Sequence, residues 1–175
     1  MNRKLVKKVI YFILLVSLIF CFEITAFAEE DDSEPIDIEQ SSFTEYDDVF
    51  YSVDEFEQYV DGIYNVSENA RTNMTGVIRL GKTGSKLFAS YSTVYSYPVD
   101  KIGVKNIKLQ YKGSLGIWHD ITTLDNRYST NASAYQGGFS CTGVIGRVYR
   151  LKGTHYVIDG SYTETRNNVT DTITF

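Results

Sequence analysis

Three rhythms of apolar and polar residues divide this chain, and each predicts a different kind of segment. Val9 to Phe22 is an almost unbroken apolar run, preceded by Arg3, Lys4, Lys7 and Lys8 and followed by Ala26-Phe27-Ala28. A basic start, an apolar middle and small residues at the two positions a signal peptidase reads predict an export signal over 1–28, cut before Glu29. Glu23 ends the run after 14 residues, short of the roughly 20 a membrane-crossing helix needs, so no stable transmembrane anchor is expected after processing. Residues 29–42 are acidic, contain Pro35 and hold two isolated isoleucines. Such a stretch buries too little apolar surface to offset the entropy of ordering, and a disordered linker is expected.

The second rhythm runs from Phe43 to Val66, where Phe50, Val53, Phe56, Tyr59, Val60 and Ile63 recur at three- and four-residue spacing. Ser52 followed by Glu55 is a capping-box pattern, and Gly62 is placed to stop a helix. Residues 43–70 therefore read as an acidic segment with a short amphipathic helix over Val53 to Asp61, its apolar side turned to the rest of the protein.

From Arg71 onward the period is two. Met74, Gly76, Ile78 and Leu80 alternate with Thr75, Val77 and Arg79, and Leu87, Ala89, Tyr91, Thr93, Tyr95 and Tyr97 share one face of the next strand. In Lys101 to Tyr111 the apolar phase slips, Ile102 and Val104 giving way to Ile107 and Leu109, which predicts a β-bulge near Lys105-Asn106. Strands are expected over Leu115 to Thr122, Phe139 to Leu151 and around Tyr156 to Tyr162, with a turn at Lys152-Gly153 and a last strand ending at Phe175. Seven or eight short strands without intervening helices predict an all-β domain over 71–175, an antiparallel β-sandwich, immunoglobulin-like in general architecture.

Charge sharpens this division. Glu29 to Ala70 holds fifteen acidic side chains and no Lys or Arg, whereas Arg71 to Phe175 holds thirteen basic and six acidic ones. A basic β domain behind an acidic leader points to an anionic partner. Cleavage before Glu29 would leave Cys141 as the single cysteine, which excludes an intrachain disulfide framework.

Candidate chemistry is sparse. Cys141 with His155 or His119 is the one nucleophile and base pair that could support a secreted cysteine-dependent enzyme, yet Phe139-Ser140-Cys141-Thr142-Gly143 carries no local catalytic signature. Trp118, His119 and Asp120 cannot act together on a regular strand, because Trp118 and Asp120 point one way and His119 the other. Two histidines without a second mature cysteine give no zinc spacing, and the acidic pairs lack the loop that gathers oxygens around calcium, so neither metal nor cofactor is expected. Tyrosines offer flat apolar faces with polar tips. Tyr95 and Tyr97 beside Lys82, Lys86, Lys105 and Lys108 compose the expected binding face.

Gly116-Ile117-Trp118-His119-Asp120-Ile121 and Tyr149-Arg150-Leu151-Lys152-Gly153-Thr154-His155 carry a further clue. Over Arg71 to Glu164 the chain resembles small exported proteins of Gram-positive bacteria grouped as families of unknown function. The resemblance implies an extracellular β domain and transfers no catalytic residue. The expected function is that of a secreted, non-enzymatic binding module, its partner an anionic cell-envelope polymer or another exported protein and not nucleic acid. A Cys141/His155 enzyme and a self-associating structural protein are the alternatives.

Overall fold

The computed structural model describes residues 43–47, 50, 52–62, 64–71 and 73–175. The expected export signal and acidic linker lie outside them. The described chain is all-β apart from one short helix, in the order β1 (Thr44–Asp47), α1 (Val53–Tyr59), β2 (Tyr64–Arg71), β3 (Met74–Thr83), β4 (Lys86–Lys112), β5 (Trp118–Leu124), β6 (Arg127–Thr142), β7 (Val148–Asp159), β8 (Tyr162–Val169) and β9 (Ile173–Thr174). All strand pairs are antiparallel and all nine strands belong to one hydrogen-bonded sheet.

The organising element is β4, 27 residues long. Along one edge it pairs first with β3 and then with β7; along the other, first with β6 and then with β5. Ten residues of extended strand would hold Thr93 about 33 Å from Gly103. Thr93 Oγ1 instead donates to Gly103 O at 2.9 Å, so β4 doubles back on itself. The bend is written in its register with β6, which jumps from Val94↔Ala134 to Val99↔Ala132, leaving Tyr95 to Pro98 opposite Ser133. Pro98, with no N–H to offer a ladder, suits the break in the β6 pairing.

The fold-over gives the sheet two arms. The first holds β1, β2, β3, the start of β4 and the end of β6; the second holds β5, β7, β8, β9, the rest of β4 and the start of β6. One apolar core joins them, drawing Ile78, Leu80, Leu87, Tyr91 and Phe139 from the first arm and Ile102, Ile107, Leu109, Tyr149 and Leu151 from the second. At the seam the His155 ring packs on Gly76, where an added Cβ would sit 2.4 Å from the imidazole. Asn168 ties the same place by donating to Ser67 O and Gly76 O, each at 2.9 Å.

The expected bulge is present. Asn106 has φ 51°, and the β4–β7 register steps from Lys105↔Thr154 to Lys108↔Lys152, which returns Ile107 and Leu109 to the core. The expected helix is also present, two residues shorter at its end: the Ser52 side chain accepts from Glu55 N–H at 3.1 Å. Phe56 buries itself with Phe50, Val60 and Phe88 on the outer surface of the first arm. The absence of a side chain at Gly81 permits this approach, since a Cβ there would stand 2.9 Å from Val60.

Other boundaries differ from the periodicity. β1 and β2 flank the short helix of the acidic segment, where no strand is expected, and pair with β6 and β3. The strand expected over Phe139 to Leu151 is divided between β6 and β7 by a loop at Gly143–Arg147. Lys152 and Gly153, expected as a turn, sit inside β7 opposite the bulge.

Candidate functional site

The bulge at Asn106 decides which side chains the second arm shows to solvent. Lys101 and Lys105 alternate outward against Ile102 and Val104; after the extra residue Lys108 and Lys112 take over against Ile107 and Leu109, with Gln110 on the same side but buried between its neighbours. On β7, Arg150, Lys152 and Thr154 alternate outward against the buried Tyr149, Leu151 and His155. Six cations therefore share one face, with Asp120 of β5 as the acidic strand residue among them.

Part of this face is held in place by its own contacts. Gln110 Oε1 accepts from Arg150 Nε at 2.9 Å, and its amide donates to Asp120. Asp120 also pairs with Lys108, and that bond holds the carboxyl below its ordinary range. The Arg150 guanidinium lies 4.0 Å from the Trp118 ring centre, Lys101 4.6 Å from Tyr128 and Lys105 5.5 Å from Tyr156. Among the described residues, Lys101, Lys105, Lys112, Arg150 and Lys152 make no ion pair.

At the bulge the face opens into a groove of about 330 Å³ lined by Asn106, Lys108, Lys152, Gly153, Thr154 and Asn167. Lys108 and Lys152 are direct register partners across its floor. Thr154 donates to Asn167 at 2.7 Å on the far wall. The lining thus carries two lysines and no carboxylate, with the Lys108 ammonium held by Asp120 and the Thr154 hydroxyl proton given to Asn167.

The expected binding residues do not form a single face. Lys105 and Lys108 belong to this one. Lys82 lies at the end of β3, where Nζ donates to Thr174 O at 3.2 Å, and Lys86 is exposed at the β3–β4 turn. Tyr95 is buried, because it points into the core at the bend, while the exposed Tyr97 stacks edge-on against it at 4.9 Å. Periodicity missed Trp118, Gln110 and Lys152 as members of the face. The phase slip carries a signal for Gln110, since it fixes the outward set of β4, whereas Trp118 and Lys152 join only through the register of β5 and β7.

Cys141 and His155 are not brought together. Cys141 is the register partner of Leu87, whereas His155 Nδ1 lies 2.8 Å from Thr93 Oγ1. Six residues of strand separate those two anchor points, about 20 Å at 3.3 Å per residue. Burial pushes the Cys141 thiol up to about 12 and the His155 imidazole down to about 4, so neither carries the charge that a thiolate–imidazolium pair needs. Trp118 and Asp120 face outward, and His119 stacks on Tyr111 at 5.0 Å on the opposite side of β5, as strand alternation requires. Among the described residues no three His, Cys, Asp or Glu side chains gather as metal ligands, and no helix is long and apolar enough to cross a membrane. No family model, no curated protein and no solved structure matches this chain.

Proposed function

We propose that the chain is exported through its N-terminal leader and works outside the cell as a non-enzymatic binding module. In this reading it is a β-sandwich, immunoglobulin-like in general architecture, akin to the small exported Gram-positive proteins it resembles. The outward face of the second arm binds an anionic cell-envelope polymer.

One observation carries the reading: Lys108 and Lys152 stand directly opposite each other over an open groove, with four further cations on the same face. Like charges in register repel, and Asp120, bonded to Lys108 and also within the field of Lys152, sets one carboxylate against six cations. A chain of anions laid along the face relieves that repulsion while leaving the hydrogen-bonded Gln110 network intact. Attraction of this kind is long-ranged and screened by salt.

Retention on isolated cell envelopes and on long-chain polyphosphate should be strong at low ionic strength and fall as salt rises. Lys108→Glu with Lys152→Glu should abolish retention, and Lys82→Glu with Lys86→Glu, at the end of the other arm, should leave most of it. Equal behaviour of the two double variants would overturn the assignment of the face.

A further inference from the structure

Beyond the charged face, two loop tips carry the most exposed large aliphatic side chains among the described residues. Leu115 is 80% exposed and Ile117 57% in the β4–β5 hairpin, and Ile145 is 89% exposed in the loop joining β6 to β7. Turns are usually polar, and aliphatic residues grouped at turn tips mark a surface that meets something apolar. Both tips lie at the same end of the second arm: Arg147 of one loop lies 4.5 Å from the ring of Tyr111, two residues before the hairpin begins.

The tips are also well formed. The hairpin is closed by Gly113 N–H to Ile117 O at 2.8 Å and Gly116 N–H to Gly113 O at 2.9 Å, with Gly116 at φ 77°. The second loop is pinned by Gly146 N–H to Phe175 O at 2.8 Å and Val144 N–H to the Tyr149 hydroxyl at 2.9 Å. Lys112, Arg147 and Arg150 flank them, and Trp118 follows Ile117 directly.

We infer that this end of the protein docks on an anionic lipid bilayer, Leu115, Ile117 and Ile145 entering the headgroup and acyl boundary while the neighbouring cations contact anionic headgroups. Apolar insertion combined with electrostatic attraction is the physics of interfacial membrane binding. A hydrated polymer offers no apolar phase for three aliphatic side chains. A second copy meeting this patch through a two-fold axis would set its cations against their own kind. The inference shares the cationic face with the reading above but adds the loop tips, so the two can fail separately.

Trp118 is the single tryptophan of the chain and reports on the hairpin directly. With full-length protein and vesicles of phosphatidylglycerol and phosphatidylcholine at low salt, Trp118 fluorescence should shift to the blue and be quenched by brominated acyl chains. Phosphatidylcholine alone should give little of either. The triple variant Leu115→Ser, Ile117→Ser, Ile145→Ser should weaken vesicle binding about 1,000-fold, given about tenfold per buried aliphatic side chain. It should keep parental retention on polyphosphate and a parental circular dichroism spectrum. Vesicle binding without quenching of Trp118, or a triple variant that binds vesicles like its parent, would overturn the inference. So would a parent dimer that the triple variant converts to monomer without any vesicle affinity, which would make the tips a self-interface. Failure on polyphosphate and vesicles alike would instead remove the cationic face itself.

Discussion

The two arms of the sheet obey the same alternation, yet their outer faces meet opposite fates. On the first arm the outward positions include Phe88 and Gly81, which accept Phe56 and Val60 of the α1 region and are thereby covered. Arg79 is carried under that cover, only 4% exposed, and its desolvation lowers its pKa. On the second arm the outward positions carry six cations and Trp118 around the buried Gln110 and Tyr156, and no described helix lies over them. The cover itself is acidic, with Asp54, Glu55 and Glu57 exposed on α1. The apolar outer face is covered by a cap from its own chain, whereas the cationic outer face carries no such cap among the described elements. The charge asymmetry of the sequence thus becomes a spatial one.

The sharpest way to break this comparison is to remove the cap. Phe56 is fully buried, and Phe56→Ala should cost about 3–5 kcal/mol, the range for truncating a buried aromatic. Denaturant titration should show the loss as a lower midpoint. A residue of the bare face such as Lys112, changed to alanine, should move stability by no more than about 0.5 kcal/mol. Comparable losses would mean that the second face is also a structural one.

Next in size is an effect at the seam where both arms depend on one side chain. His155 is buried neutral, its pKa pushed down to about 4 by desolvation, against an ordinary value of 6.5. The folded state thus binds its proton later than the unfolded state as pH falls. Stability should be level above pH 6.5 and decline by about 3 kcal/mol towards pH 4, where the folded imidazole also titrates. A His155→Gln variant should lose this decline while His119→Gln keeps it. An identical acid limb in both variants would place the titrating group elsewhere.

The elements most legible in sequence were those whose signal is local. The Ser52 cap needs only Glu55 three residues on, and the bulge at Asn106 announces itself because a phase slip of apolar residues has one structural remedy. Long-range geometry was not legible. Gly153 looked like punctuation beside Lys152, but it occupies mid-strand because the bulge opposite crowds it: its Cβ would stand 3.2 Å from Val104. Likewise Tyr95 and Tyr97 alternate identically on paper, and only the fold-back of β4 buries one and exposes the other. The cationic face was half visible, since Lys105 and Lys108 follow from the slip, while Lys152, Arg150 and Trp118 join them only through cross-strand register.

A smaller change sharpens the comparison from the capped side. Ser52→Ala removes the oxygen that accepts from Glu55 N–H and should cost about 1 kcal/mol, with α1 fraying before the sheet. Amide exchange should rise over residues 53–59 and stay unchanged in β7. Equal acceleration in both would show that the cap and the sheet unfold together.

The smallest predicted effect is the most discriminating, because it has the opposite sign. If the facing pair Lys108 and Lys152 is kept for an anion and not for the fold, then removing one member should help the fold. Lys152→Thr deletes the repulsion across β4 and β7 and supplies a side chain with strand preference, so it should stabilise by a few tenths of a kcal/mol, the lower end for cross-strand pairs. The gain should shrink in high salt, where the parent's repulsion is already screened, and the same variant should bind polyphosphate more weakly at low salt. A variant that loses both stability and binding would show that Lys152 is part of the scaffold. Gain in one and loss in the other is what a surface held against its own electrostatics for a ligand must show.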